Sequence, residues 1–199
     1  MYRAVGNRCA VDIGGLSLPL EEREALNILT RLGFRIVEFD LVKAARGLVG
    51  QAKYRRGARL SEAPEVFDCS GLAKWLYAQK GVWLPRRSIQ QREFGHKTEL
   101  QNIKAGDLVF TSGRINYYET NRGDGVGHVG IFSGEDSVVH AANSKIGITE
   151  SPLESFISNN TFRGVRRYAK KPDTLTLETP STREVETSDD IKWIILQTL

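Results

Sequence analysis

Apolar and polar positions alternate with a helical period near the start of the chain. Leu26, Leu29 and Leu32 follow one another at intervals of three, which gives a single apolar stripe along one helical face. Gly33 is suited to the position just after a helix ends. This pattern predicts a helix over residues 17–33.

Two further helices are predicted before residue 81. The second begins with Asp40 as its N-cap and runs to about residue 50. The third occupies about residues 69–80, with Asp68 as its cap and Gly81 at its end.

The second half of the chain has the pattern of antiparallel strands. A short apolar run at 108–110 follows turn residues, and two more runs, 129–132 and 138–141, flank a polar turn segment at 133–137. A last strand is predicted at 162–168. Helices followed by antiparallel strands indicate an α+β fold, with N-terminal helices packed on a small antiparallel sheet.

The composition changes twice along the 199 residues. We expect a helical N-terminal extension at 1–39, packed on a central domain at 40–168. Residues 169–199 read as a polar linker with a short apolar tail, because Thr, Glu, Ser and Pro dominate there.

The net charge of +4 is unevenly distributed. Residues 169–199 carry four basic and six acidic side chains, so the rest of the chain carries +6. A mildly basic body suits an acidic polymer or surface without selecting one. The basic pairs are scattered as in a solvated surface, so no nucleic-acid partner is predicted. No apolar run approaches the ~20 residues of a membrane helix, so no transmembrane segment is predicted.

Cys69 is one of two cysteines and lies where coil becomes the third predicted helix. The unpaired N–H groups and the dipole at a helix N-terminus lower the pKa of a thiol and favour the reactive thiolate. A buried structural cysteine fits the same position. We interpret the other cysteine, Cys9, as structural or free.

Two of the three histidines belong to the predicted hairpin. His128 opens one strand and His140 lies twelve residues later near the end of the partner strand. Opposite residues of an antiparallel pair share a face and side chains alternate, so an odd connecting loop without a bulge puts both histidines on one face. We therefore predict an odd loop of three residues within 133–137. Taken singly, each histidine also fits an ordinary half-buried sheet position.

We interpret the third histidine, His96, as an exposed residue without a catalytic role.

A helix-terminal cysteine with a histidine base and a further polar group is a pattern of nucleophilic catalysis. A zinc site made of Cys9, Cys69, His128 and His140 is an alternative, although these residues lack the close pairing of usual zinc ligands. We predict no metal and no cofactor.

Five segments resemble the NlpC-type cell-wall peptidases, a bacterial branch of the papain-like cysteine peptidases. They are the nucleophile motif at 67–72, followed by 84–88, 105–110, 127–132 and 139–141, in the order and spacing of that family. The resemblance covers about residues 40–168 and implies a papain-like fold for them.

The resemblance also implies roles for individual residues. Cys69 matches the nucleophile, His128 the general base, and His140 the polar residue that orients the base. Tyr54 is similar to the tyrosine that lines the oxyanion and substrate site. Asp68 and Ser70 resemble a pair that holds the amino end of the stem peptide in some members, although Ser70 equally fits the first helical turn.

The function implied is that of a cysteine endopeptidase that hydrolyses peptidoglycan stem peptides, at the γ-D-glutamyl bond to diaminopimelate or lysine, through a thioester. The expected partner is therefore peptidoglycan or a muropeptide. Two other readings stay open: a non-catalytic module that binds wall peptides or a protein, and an amidase or acyltransferase on the same fold.

Two segments depart from the family pattern. Residues 55–58 replace a usual glycine pair, and residues 111–127, with Tyr117 and Tyr118, form a longer connection than usual. The longer connection either lines the substrate cleft or is a tolerated surface insertion. The N-terminus has no apolar signal segment, so we expect a bacterial protein that is cytoplasmic or reaches the wall by a non-Sec route.

Overall fold

The computed structural model describes residues 1–113, 125–158, 160–169 and 174–199. Contacts divide the chain into two compact units. One unit comprises residues 1–40, 77–83 and 169–199, and the other comprises residues 41–76 and 84–168. We call them the terminal unit and the central unit.

Six helices and eleven strands form the described framework. In chain order they are β1 (Arg8–Val11), α1 (Glu22–Arg31), β2 (Arg35–Val37), α2 (Leu41–Gly47), β3 (Lys53–Tyr54), β4 (Val66–Phe67), α3 (Cys69–Gln79), α4 (Ser88–Phe94), β5 (His96–Thr98), β6 (Leu108–Thr111), β7 (His128–Gly134), β8 (Ser137–Asn143), β9 (Gly147–Pro152), α5 (Glu154–Ile157), β10 (Phe162–Arg167), β11 (Leu175–Glu178) and α6 (Ser188–Leu196). The predicted α+β class is confirmed.

The terminal unit is built from both ends of the chain. Its sheet has the order β1-β11-β2, with antiparallel pairing throughout. Its core contains Leu29 from α1, Leu177 from β11, and Ile191 and Ile195 from α6. The predicted N-terminal extension is therefore not purely helical, and the predicted linker at 169–199 contains a strand and a helix. Cys9 is a free thiol buried in β1.

Helix α1 begins later than predicted, at Glu22 rather than near residue 17. Pro19 disfavours helical backbone at the residue before it, so the chain turns there before the helix begins. At the other end, Gly33 adopts φ of +90°, as expected for a residue that ends a helix.

The central unit contains a six-stranded antiparallel sheet with the order β5-β10-β6-β7-β8-β9. Strands β7 and β8 form the predicted hairpin in the middle of this sheet. A separate parallel pair, β3 and β4, places Tyr54 opposite Phe67, immediately before α3. These two arrangements position the candidate site.

The hairpin turn differs from the prediction. Its loop has two residues, Glu135 and Asp136, both in the left-handed region with φ of 52° and 55°, which is the conformation of a tight hairpin turn. The predicted three-residue loop is therefore wrong. The pairing register shifts by one residue between Phe132 and Gly134, because β7 contains a bulge there. The extra residue at the bulge brings His128 and His140 to the same face of the hairpin, as an odd loop would have done.

Candidate active site

Cys69 is the first residue of α3, and Asp68 caps this helix. The Asp68 Oδ1 atom accepts a hydrogen bond from the Gly71 backbone N–H at 2.7 Å, and the Asp68 carbonyl accepts one from Leu72 at 2.9 Å. The side chain bonds the third helical N–H, as a capping aspartate does. The predicted cap is confirmed, and it holds the half-buried Cys69 at the end of the helix.

The ionisation of Cys69 differs from the prediction. Burial and the charge of Asp68 raise the pKa of the thiol to about 11, while backbone N–H groups of Val129, Ser70 and Cys69 act in the opposite direction. The helix terminus does stabilise the thiolate, but desolvation outweighs it. The contribution of Val129 places the sulfur beside the residue that follows His128.

The two predicted histidines meet on one face of the hairpin. His128 Nε2 lies 2.9 Å from His140 Nδ1, and the rings are nearly perpendicular, with centroids 5.0 Å apart. His140 Nε2 lies 3.0 Å from the Ser151 hydroxyl. Sequence reasoning missed Ser151; only its place on β9, next to the strand that carries His140, could have indicated it.

The histidine pair is enclosed by an apolar residue. The buried Phe156 ring lies 5.7 Å from that of His128 and 4.9 Å from that of His140. A Cβ atom at Gly130 would come within 2.3 Å of Val138 Cγ1 and 3.2 Å of His140 Cβ. Glycine at this position therefore allows the close packing of the pair.

Burial keeps both histidines neutral. Desolvation and the neighbouring His140 lower the pKa of His128 to about 3, and desolvation lowers the pKa of His140 to about 4. At neutral pH the site therefore contains a protonated thiol and two neutral imidazoles.

Only one arrangement of protons makes His128 a base for Cys69. The Nε2 atom of His128 is engaged with His140, so Nδ1 must carry the free lone pair. A neutral His128 then donates Nε2–H to His140 Nδ1, and His140 donates its own Nε2–H to Ser151. The opposite direction of donation would leave a proton on His128 Nδ1 and remove the base.

Tyr54 reaches the site from β3. Burial, followed by the neighbouring Cys69 and Asp68, raises the pKa of its phenol, while Arg56 acts in the opposite direction. The hydroxyl therefore keeps its proton and is able to donate it in a hydrogen bond.

Asp68 and Ser70 lie beside Cys69, but both are bonded to Arg86, which sequence reasoning did not identify. The Arg86 guanidinium contacts the two Asp68 carboxylate oxygens at 2.9 and 2.5 Å and the Ser70 hydroxyl at 3.0 Å. Gly57 N–H donates to the same carboxylate at 3.1 Å. The Asp68 side chain is 11% exposed and that of Arg86 is 37% exposed, so the carboxylate is largely removed from water while the guanidinium remains partly in contact with it.

A cleft extends to both sides of these residues. One cavity of about 620 Å³ is lined by Cys69, Asp68 and Ser70, and a second of about 510 Å³ is lined by His128 and His140. Tyr54, Arg56 and Gly127 line both. Cys69 and His128 therefore line neighbouring cavities that share part of their walls.

Parts of both departures from the family pattern line these cavities. Arg56 lines both of them, whereas Arg55 forms an ion pair with Glu62. In the connection 111–127, the described residues Thr111, Ser112, Gly113, Val126 and Gly127 line one or both cavities. Residues 114–124 of that connection, with Tyr117 and Tyr118, lie outside the described residues.

Within the described ranges, no group of three or more His, Cys, Asp or Glu residues is arranged to hold a metal ion, and the alternative zinc set is not assembled. None of the helices in those ranges is long and apolar enough to cross a bilayer. His96 is exposed on β5.

Comparison with known proteins gives consistent matches. A probable endopeptidase of Corynebacterium glutamicum is 38% identical over 115 residues, 57% of this chain and 47% of that protein. A gamma-DL-glutamyl hydrolase of Bacillus subtilis is 34% identical over 153 residues, 74% of this chain and 34% of that protein. The chain thus spans between a third and a half of the length of these relatives.

Solved structures agree. The crystal structure of an NLP/P60 family protein from Staphylococcus aureus, described as similar to lipoprotein, superposes with a TM-score of 0.52 at 28% identity, covering 68% of this chain and 44% of that one. The model of the NlpC/P60 family matches residues 50–167, which include Cys69, His128 and His140. The chain belongs to the NlpC/P60 family.

Proposed function

We propose that this protein is a cysteine endopeptidase that hydrolyses the stem peptides of peptidoglycan, at the bond between γ-D-glutamate and diaminopimelate or lysine. The observation that carries the proposal is the proton chain from His128 through His140 to Ser151 beside the helix-terminal Cys69. The names of the relatives, an endopeptidase and a gamma-DL-glutamyl hydrolase, support the substrate class.

The first step is attack by Cys69 on the amide carbonyl carbon. The thiol proton passes to His128 Nδ1 as the S–C bond forms, because burial disfavours the separated thiolate and imidazolium. His140 stabilises the imidazolium by accepting its Nε2–H. The carbonyl oxygen becomes an oxyanion, which we expect the backbone N–H of Cys69 and the Tyr54 hydroxyl to bind.

The second half completes the hydrolysis. The tetrahedral intermediate collapses, the C–N bond breaks, and His128 gives its Nδ1 proton to the leaving amine, which leaves a thioester on Cys69. His128 then takes a proton from water as the water oxygen attacks the thioester. The thiol leaves with that proton, so one amide and one water become one acid and one amine.

Asp68 and Ser70 are proposed to hold the amino end of the stem peptide, as their match to the family implies. Their contacts with Arg86 define a test of that role. If they bind the amine, Ser70→Ala raises KM for peptides with a free N-terminal L-alanine more than for N-acetylated ones. Equal changes for both peptides would instead favour a role in holding Arg86.

The experiment that tests the function is digestion of intact peptidoglycan and of the free stem tripeptide, with mass spectrometry of the products. Endopeptidase action releases the L-Ala-D-Glu dipeptide from the tripeptide. Release of whole stems from glycan would indicate an amidase, and exchange onto an added amine would indicate an acyltransferase. Binding without any cleavage by the folded protein would contradict the proposal in favour of a binding module.

A further inference from the structure

A polar network lies on the sheet face opposite the two histidines. Glu150 pairs with Val139, the neighbour of His140, and therefore points to the other face. Its Oε1 atom accepts hydrogen bonds from the Ser133 hydroxyl at 2.5 Å and the Ser137 hydroxyl at 2.6 Å. The two hydroxyl oxygens are themselves 2.7 Å apart.

Arg46 from α2 completes this network. Its Nε and Nη2 atoms donate to Glu150 Oε1 at 3.1 and 3.0 Å. Burial raises the pKa of Glu150, but the hydrogen bonds from Arg46, Ser133 and Ser137, with the charge of Arg46, lower it to about 2. Glu150 is therefore ionised over the whole range in which the enzyme is expected to work.

The network includes the bulge of β7. Ser133 is the extra residue of the bulge: it has no pairing partner on β8, because the register shifts between Phe132 and Gly134. It is 5% exposed. A buried hydroxyl without a partner is costly, so a bulge at this residue depends on acceptors that reach it. Glu150 supplies a charged acceptor from two strands away, and the Ser137 hydroxyl is a second polar neighbour of Ser133.

The bulge determines which face His128 occupies. On the His128 side of the bulge Phe132 pairs with Val138, so these two residues share a face. His128 is four residues from Phe132 along β7 and His140 is two residues from Val138 along β8, so both histidines lie on that face. With the two-residue turn and no bulge, the register would shift by one and His128 would face away from His140.

We propose that Glu150, bound by Arg46, is a positioning residue: it fixes the Ser133 bulge from the far face of the sheet and so sets the register that joins His128 to His140. Its effect on catalysis rests on the proposed function, but its effect on the histidine pair does not.

The test compares Glu150→Ala and Glu150→Gln with Glu135→Gln as a matched control. The Glu135 carboxylate lies 3.7 Å from the same Arg46 but its side chain is 88% exposed. Two experiments are done on each variant: nitrogen NMR of the imidazoles gives the protonation of His128 and His140, and steady-state kinetics on the stem tripeptide gives kcat and KM.

In the wild type and Glu135→Gln, both imidazoles stay neutral at pH 6. In Glu150→Ala we expect their pKa values to rise towards the ordinary ~6.5, and kcat to fall about tenfold or more with KM changed less than about threefold. Glu150→Gln keeps an acceptor oxygen but loses the ion pair, so its effects are intermediate. Imidazoles and kinetics that match those of Glu135→Gln in both Glu150 variants would overturn the proposal.

A second pair of variants tests the register itself. The signature of the histidine pair is that both imidazoles stay neutral at pH 6. Deletion of Ser133 leaves a two-residue turn without a bulge, and we expect the variant to lose this signature. Deletion of Ser133 with one glycine inserted between Glu135 and Asp136 gives an odd loop, and we expect the signature to return. A signature that survives the deletion alone contradicts the proposal.

If the wild type shows the signature but cleaves no stem peptide, the proposed function fails and the positioning role stands.

Discussion

His128 Nε2 lies 2.9 Å from His140 Nδ1, although a two-residue turn joins their strands. A regular hairpin with that turn would direct the two side chains to opposite faces. The bulge at Ser133 removes the conflict, and Gly130 leaves the space in which the rings meet. The contact between the two histidines thus depends on an irregularity of the strand.

Replacement of His140 should slow the reaction without preventing substrate binding. His140→Ala removes the acceptor of His128 Nε2–H and the group that stabilises the imidazolium, so we expect kcat to fall roughly 10²-fold or more. His140→Gln offers an amide oxygen in its place and should retain more activity than the alanine variant. Steady-state kinetics on the stem tripeptide measures both, and equal kcat for the alanine variant and the wild type would contradict the orienting role.

The resting thiol should be protonated at neutral pH. Burial raises the pKa of Cys69 to about 11 and lowers that of His128 to about 3, so we expect no thiolate absorbance near 240 nm at pH 7. The measurement uses Cys9→Ala protein, so that only Cys69 contributes. A thiolate band at pH 7 that disappears in the Cys69→Ala, Cys9→Ala double variant would show a preformed ion pair instead.

Acidification should destabilise the fold through the two histidines. Their folded pKa values, about 3 and 4, lie below the unfolded value near 6.5. The unfolded chain therefore binds more protons as the pH falls, and stability that is present above pH 6.5 is lost between pH 6.5 and the folded pKa values. Each histidine contributes up to about 1.4 kcal/mol per pH unit in that window.

Urea unfolding at pH 7 and pH 5 measures this loss. We expect a smaller pH dependence in His140→Gln, while His96→Gln, at an exposed position, behaves as the wild type. A free energy of unfolding that does not change between pH 7 and pH 5 would show that the two histidines are not held neutral by burial.

Local signals in the sequence predicted much of the central unit. Asp68 before the apolar face of α3, and Gly81 after it, gave the helix and its cap to within a residue. The alternation around His128 and His140 gave the hairpin. The helix, its cap and the hairpin depend on neighbouring residues, so a single sequence contains them. The face that the two histidines share was predicted from an odd loop, and the structure reaches it through the bulge at Ser133 instead.

The features that were missed depend on pairing between distant segments. β11 lies in a stretch with linker composition, yet it pairs with β1 and β2 from the other end of the chain. The Ser133 bulge needs Glu150 and Arg46 as partners, and neither is adjacent to it in sequence. Arg86 reaches Asp68 across 18 positions, and the desolvation that raises the pKa of Cys69 depends on packing that no local pattern records.

The central claim is that Cys69 is the nucleophile, and the most direct test is kcat/KM on the stem tripeptide for the wild type, Cys69→Ala and Cys9→Ala. The account predicts cleavage by the wild type, loss of about 10⁴-fold or more in Cys69→Ala, and activity within about threefold of the wild type in Cys9→Ala. The last variant serves as the matched control, since Cys9 is a buried free thiol in the terminal unit. Cleavage that persists in folded Cys69→Ala protein would contradict the account.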